Sequence, residues 1–282
     1  MILKIEDFIK DGISFFFYLL RLIKHRGFRN KLVKDKQGKV AVLANGPSLK
    51  EVIPQLTSDE FKDVDFIVLN FFAFDDVFFQ IRPQHYCFAD PMFFKASHRI
   101  EEVRRLFSVL EKVDWDMTLY IPASLYKTFL LFSGLKNPNI TITKVNCIDY
   151  TGFGCFRNFL YKKNLSSPRA QTIAILAIFV GLCKGYSEIE LYGVDHTFFD
   201  SLTINENNEL CYSDKHFYNS ESGIKPMLRP DSDKPWIISD YIEAIMYMFK
   251  GHDILASFAH YLNVEIVNCT RGSLIDSYKR KK

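Results

Sequence analysis

The chain has 282 residues, 48% of them hydrophobic, which is enough for one large domain or two small ones with a core that needs no covalent staples. Its 36 Lys and Arg against 33 Asp and Glu leave a net charge of +3, far from the dense basic balance of a dedicated nucleic-acid binder, so nucleic acid is excluded as the main partner. Six cysteines (Cys87, Cys147, Cys155, Cys183, Cys211, Cys269) form no CxxC pair and have no histidines at zinc spacing, which fits a reducing cytoplasm and a chain without a metal site. Cys87, Cys183 and Cys269 sit in apolar runs and read as buried thiols. The 27 Phe and 14 Tyr imply an aromatic core or an apolar surface patch.

The first 29 residues have helical period, with Ile5, Ile9, Ile13, Phe16, Phe17 and Leu20 on an apolar side and Arg21, Lys24, His25, Arg26 and Arg29 at the C-terminal end. The apolar run Ile13 to Leu20 is too short to span a bilayer, and Glu6, Asp7 and Asp11 spoil it as a signal peptide. Two readings remain: a helix docked on the protein's own core, or an amphipathic helix lying on an anionic membrane surface. With the polar linker Lys34 to Gly38 it makes an N-terminal unit over 1–36, followed by one main domain over 37–282.

From Lys39 the pattern alternates strand and helix, which predicts α/β architecture with a mostly parallel sheet flanked by helices. Val40, Val42 and Leu43 form a first strand that breaks into Asn45-Gly46-Pro47-Ser48 and a helical stretch from Leu49 to Phe61. Strands follow at 65–70, 84–90, 117–122 and 140–145, with a helix over His98 to Val113. The first three strands end in Asn45, Asn70 and Asp90, and in a parallel sheet such ends share the edge where ligands bind. Asp63-Val64-Asp65 has an Asp-x-Asp form but precedes a strand, and reads as a solvated turn.

The apolar segment Thr172 to Cys183 predicts a buried helix, closed at Gly185, whose N-terminus beside Arg169 suits a phosphate or carboxylate. A strand at 187–192 then ends in Gly193-Val194-Asp195-His196. Residues 197–234 are polar and lack an apolar period, a length that reads as a lid or a disordered insertion. Pro235-Trp236 opens a long helix to Tyr261, followed by a strand at 264–268, a turn at 270–273 and a basic tail from Lys279 to Lys282.

These islands resemble the single-domain bacterial sialyltransferases that decorate lipo-oligosaccharide, and the related proteins labelled as pterin-pyrophosphokinase-like. The matching residues are Asn45-Gly46-Pro47-Ser48-Leu49-Lys50-Glu51, Asn70-Phe71-Phe72, Asp90-Pro91, Gly185-Tyr186-Ser187-Glu188-Ile189 with Gly193-Val194-Asp195, and Asn268-Cys269 with Ser273-Leu274. The resemblance implies a Rossmann-like catalytic domain of the GT-A type that binds a CMP-linked sugar acid and needs no metal or other cofactor. It implies that Asn45, Gly46, Ser48 and Asn70 line ribose and phosphate, and that Thr172, Gly193, Val194 and Asp195 lie near the cytosine. The resemblance implies a donor such as sialic acid, but Asp90 stands where that family has asparagine and no tyrosines follow the Gly-Val-Asp turn, which points to room for a different donor sugar, Kdo or another 2-keto acid.

An acceptor hydroxyl attacking the anomeric carbon needs a base with a pKa near working pH, and histidine suits it. Three histidines are candidates: His216 in the lid, His196 after the crevice turn, and His252 on the long helix, where the bland reading is a helix-surface residue. Arg169 can meet a sugar carboxylate with a planar guanidinium, or can cap a helix at the surface. The resulting expectation is a glycosyltransferase acting on a glycan or glycolipid acceptor for lipopolysaccharide or capsule, cytoplasmic or peripheral on the inner membrane, with room for a homo-oligomer. The alternatives are an ATP-dependent pyrophosphokinase acting on a pterin and a non-catalytic nucleotide-sugar-binding protein.

Overall fold

The computed structural model describes residues 2–24, 32–213, 224–229 and 234–281. The six predicted strands of the first two-thirds are present as β1 (Lys39–Leu43), β2 (Val64–Leu69), β3 (His85–Cys87), β4 (Met117–Pro122), β5 (Ile140–Val145) and β6 (Glu188–Tyr192). Three short strands follow, β7 (Leu202–Ile204), β8 (Leu210–Ser213) and β9 (Ile224–Pro226), and then β10 (Glu265–Asn268) and β11 (Lys279–Arg280). Seven α-helices accompany them among the described residues: α1 (Ile2–Lys24), α2 (Val77–Ile81), α3 (Ile100–Leu110), α4 (Tyr126–Ser133), α5 (Gly154–Lys162), α6 (Ile173–Lys184) and α7 (Ile238–Leu262).

Eight strands form one sheet in the order β11-β10-β6-β1-β2-β3-β4-β5, with every pairing parallel. Because parallel strands are covered on both faces, they read as continuous apolar runs, and alternate residues feed separate cores. Val40, Val42 and Leu191 face the layer built by α6 and α7. Ala41, Leu43 and Tyr192 face a second, aromatic-rich layer containing α3, α4 and the turns after β1 and β2. Phe88, stacked on Phe93 at 4.3 Å, and Phe129 belong to that layer. The expected α/β, Rossmann-like, mostly parallel sheet is therefore observed.

The chain leaves β1 toward β2 and proceeds to β5, then returns through α6 to place β6 on the other side of β1. The reversal lies between β1 and β6, and at such a switch point the loops after the two strands diverge and leave a crevice.

Several local expectations are corrected. Leu49 to Phe61 is not an α-helix but three 3-10 turns, Pro47–Glu51, Ile53–Gln55 and Asp59–Phe61. Pro54 lacks the amide that an α-helical ladder would need there and restricts the residue before it. The polar stretch after Thr197 is not featureless: β7, β8 and β9 make a small antiparallel sheet. The Asn205 side chain builds its first turn by accepting from the amides of Asn207 and Glu209. The basic tail is an edge strand, β11, and the Arg280 guanidinium donates to the carbonyls of Thr270, Ser273 and Ile275. Cys87 and Cys183 are buried as expected, but Cys269 is only half-buried and Cys211 is buried as well.

Asp65 is not a solvated turn residue. It lies in β2, where its carboxylate accepts from Lys36 Nζ at 2.8 Å and from the Tyr186 hydroxyl. Tyr186 in turn accepts from His85 Nε2 at 2.7 Å, and His85 Nδ1 accepts from the Tyr120 hydroxyl at 3.2 Å. One tautomer satisfies the whole chain, and burial holds His85 neutral by pushing its pKa down to about 3. Tyr186→Phe removes a hydrogen bond to a charged group and strands His85 Nε2. It is expected to cost about 1–3 kcal/mol, read from the urea unfolding midpoint.

Candidate functional site

The turns that follow β1 and β6 interlock across the switch point. Ala44 donates its amide to Tyr192 O at 2.9 Å and Gly46 donates to Gly193 O at 2.8 Å. Asp195 then accepts from both groups of Ser48, the amide at 3.2 Å and the hydroxyl at 2.8 Å. Burial pushes the Asp195 carboxyl up from the usual carboxylate range, and the two bonds from Ser48 oppose that shift. Gly46 is required by space rather than by backbone angle: a Cβ there would lie 1.8 Å from Asp195 Oδ2 and 2.5 Å from Gly193 O. The second turn is held from behind, because Val194 donates to Thr270 Oγ1 and Leu274 donates to Asp195 O. Gly46, Ser48, Gly193, Val194 and Asp195 thus form a frame in which their polar groups are turned to one another.

Other predicted residues on this edge keep hydrogen-bonding capacity in reserve. Asn45 is buried and donates Nδ2 to Leu69 O at 3.3 Å, which fixes its amide orientation and leaves Oδ1 without a partner. Asn70 follows β2 in the left-handed region (φ 47°), and its buried Oδ1 is also unpartnered. Thr172 precedes α6, where its hydroxyl makes no cap bond and is buried and unpartnered. The amides of Ile173 and Ala174 carry no backbone bond, as expected for the first turn of a helix. Since α6 ends at Gly185, just before the start of β6, its N-terminus lies at the same edge as Asn45 and Asn70. Native proteins rarely leave buried polar atoms unsatisfied, and three of the seven such atoms among the described residues fall at this edge, which makes it the candidate ligand site.

His196 adjoins this frame in the left-handed region (φ 52°) and is buried, its ring against Phe198 and Phe249. Its Nε2 lies 2.9 Å from Nε2 of His252, whose Nδ1 lies 2.9 Å from the Tyr278 hydroxyl. His252 is therefore not a helix-surface residue; it is fully buried on the side of α7 turned inward. A 2.9 Å contact between two ring nitrogens needs one donor and one acceptor, so both rings are neutral or share one proton. Burial lowers the pKa of His196 to about 4 and that of His252 well below its ordinary value. No signal in the sequence joins two histidines 56 residues apart or adds Tyr278 behind them.

The strand expected at 84–90 stops at Cys87, and Asp90 instead caps the 3-10 turn Pro91–Phe93, accepting from the Met92 amide at 3.1 Å, with its carboxyl pushed up by burial. Arg169 is exposed, with its guanidinium 5.1 Å from the Tyr247 ring centre, and does not cap α6. His216 lies outside the described residues. A cavity of about 400 Å³ opens at the opposite edge, lined by Ser187, His260, Asn263 and Glu265, but none of the unpartnered buried atoms points there. Among the described residues no three His, Cys, Asp or Glu side chains converge as a metal site would require, and no helix is long and apolar enough to cross a membrane.

No family model and no curated protein matches the sequence. Among solved structures, the chain is similar to the MAf glycosyltransferase from Magnetospirillum magneticum AMB-1, with 13% identity and a TM-score of 0.46. The alignment covers 92% of this chain and 37% of that one, so the chain spans little more than a third of its neighbour's length. A likeness this distant transfers no function.

Two outcomes follow from this geometry. Gly46→Ala forces the two turns apart and is expected to cost about 3 kcal/mol or more, whereas Gly12→Ala, with nothing within 4 Å, should be neutral or slightly stabilising; urea titration of both variants checks this. His85 and His196 have folded pKa values near 3 and 4, below the ordinary 6.5, so the unfolded chain binds protons first on acidification. Their contribution is complete above pH 6.5 and is lost as pH falls toward 4, so the unfolding midpoint should drop steadily across that window.

Proposed function

We propose that the chain is a glycosyltransferase that holds a nucleotide-activated sugar at the switch point between β1 and β6. The observation that carries this reading is the pair of unpartnered carboxamide oxygens, Asn45 Oδ1 and Asn70 Oδ1, on the same sheet edge as the bare N-terminus of α6. A carboxamide oxygen only accepts, so it calls for ribose hydroxyls or a base amino group rather than a phosphate oxygen. The phosphate belongs instead with donors: the Thr172 hydroxyl and the amides of Ile173 and Ala174, where the helix dipole also favours an anion. This assignment departs from the resemblance by making Gly46, Ser48 and Asp195 the frame and leaving Asn45, Asn70 and Thr172 to touch the ligand.

The donor proposed is a CMP-linked 2-keto sugar acid, sialic acid, Kdo or a relative, and the acceptor is a glycan or glycolipid. A single phosphate has less charge to neutralise than a pyrophosphate, which suits a site made of amides and a hydroxyl. Arg169, exposed in the segment before α6, would pair its guanidinium with the sugar carboxylate. In the reaction, the acceptor oxygen bonds to the anomeric carbon, the bond from that carbon to the phosphate oxygen breaks, and its electron pair leaves with CMP. The acceptor proton goes to His196 Nδ1, which has no partner among the described residues. In that tautomer His196 Nε2–H donates to His252, and His252 Nδ1–H donates to Tyr278, so the two residues behind fix which nitrogen is free.

Thermal unfolding against CMP, CTP, UDP, GDP and ATP, each with and without magnesium, tests the reading. A nucleotide at about a hundred times its dissociation constant adds roughly 2.7 kcal/mol, a shift of several degrees. CMP or CTP without magnesium is expected to give that shift, and Asn45→Ala to lose most of it. His196→Gln should keep the shift while transferase activity falls about a hundredfold or more. A shift with ATP and magnesium alone turns the assignment to the pyrophosphokinase.

A further inference from the structure

Helix α1 is docked by one side only. Tyr18 is fully buried and donates to Leu165 O at 3.0 Å, Phe15 packs edge-on against Tyr150 and Phe156, and Arg21 pairs with Asp149. The opposite side is apolar and open. Eight of its large apolar side chains are at least half exposed, among them Ile9, Ile13, Phe16, Phe17, Leu20 and Ile23. Isolated exposed apolar side chains are ordinary, but a continuous row of this length along a helix of 23 residues marks an interaction surface. On α5, which the docked side of α1 meets through Phe15 and Phe156, Phe159 is exposed and Lys162 and Lys163 stand exposed at the end of the helix.

The charge around this face selects its occupant. From Arg21 to Lys36 the sequence has seven Lys and Arg and one acid, Asp35. Lys10 and Lys24, both exposed, lie on α1 itself. A second copy docking through the same face has only Glu6, Asp7 and Asp11 of α1 to set against that stretch. An anionic bilayer complements both features at once, taking Phe, Ile and Leu below the headgroups and leaving the basic side chains among them.

We propose that the outer face of α1, with its exposed Lys10 and Lys24, is a binding surface for anionic membrane, in which the helix lies in the plane of the interface and does not span it. The proposal is independent of glycosyl transfer. The experiment is co-sedimentation of the full chain with vesicles of phosphatidylcholine alone and of equal parts phosphatidylcholine and phosphatidylglycerol, beside a Phe16→Ser/Phe17→Ser variant. Both substitutions fall on exposed positions, so the variant should unfold at the wild-type temperature. The wild type is expected to pellet with the anionic vesicles, to be released by high salt, and to bind at least about tenfold more tightly than the variant. Equal pelleting of the two proteins overturns the proposal, as does a wild type that stays in the supernatant with both vesicle types. Light scattering that shows a vesicle-independent dimer lost in the variant, without vesicle binding, assigns the face to a second copy instead.

Discussion

The carboxylate of Asp195, gripped by the amide and hydroxyl of Ser48 across a gap that only glycine can line, is the contact on which the crevice depends. It joins the loop after β1 to the loop after β6, the two segments that diverge at the switch point. Its geometry is also imposed from the C-terminal part of the chain. Arg280 holds three carbonyls of the 270–275 turn, that turn bonds Val194 and Asp195, and Asp195 bonds Ser48. The C-terminal strand therefore acts on the site through a chain of hydrogen bonds without approaching a ligand. Moving Asp195 would leave a buried carboxylate unpaired and two Ser48 donors unmet, so the frame is stiff by default.

The two edges of the sheet treat polar groups differently. At the edge where the strands begin, the chain Tyr120, His85, Tyr186, Asp65 and Lys36 closes with every member partnered. At the edge where they end, Asn45, Asn70 and Thr172 each keep a buried atom without a partner. Unsatisfied polar atoms destabilise the free protein, and a fold tolerates them where a ligand supplies the missing bonds. Both edges hold buried neutral histidines, yet they have different consequences. His85 has both ring nitrogens occupied by hydroxyls and can only hold its place. His196 has one nitrogen bound and, among the described residues, no partner on the other, beside a backbone conformation that costs energy to maintain.

The strands were legible because a parallel sheet covered on both faces writes itself as β-branched runs, and Asn45 and Asn70 just past two of them marked the edge where buried carboxamide oxygens lack a partner among the described residues. The docked reading of the N-terminal helix describes the side that carries Phe15, Tyr18 and Arg21. Sequence period failed where local chemistry overrode it: Pro54 broke the expected helix, and Asn205 bent polar residues into a hairpin with no apolar signal. It also failed wherever meaning depends on a distant partner. His252 was indistinguishable from a helix-surface residue until the fold set His196 and Tyr278 on either side of it. Lys279 and Arg280 looked like a tail because nothing local says that a two-residue segment will pair with β10.

The position of α1 bears on how the two proposed surfaces work together. Its C-terminal half rests on the segment after β5, through Arg21 to Asp149 and Tyr18 to Leu165, at the edge of the sheet where the strands end. That is the edge on which the crevice opens. Four strand spacings separate β5 from β1, roughly 19 Å at about 4.8 Å each. A helix lying in a headgroup layer at β5 would hold the switch point at about that distance along the sheet, within reach of a short glycan carried on a lipid. A glycan free in solution would gain nothing from the arrangement. If both proposals hold, the apolar face of α1 would set the distance of an anchored acceptor, while the orphaned asparagines would hold only the donor.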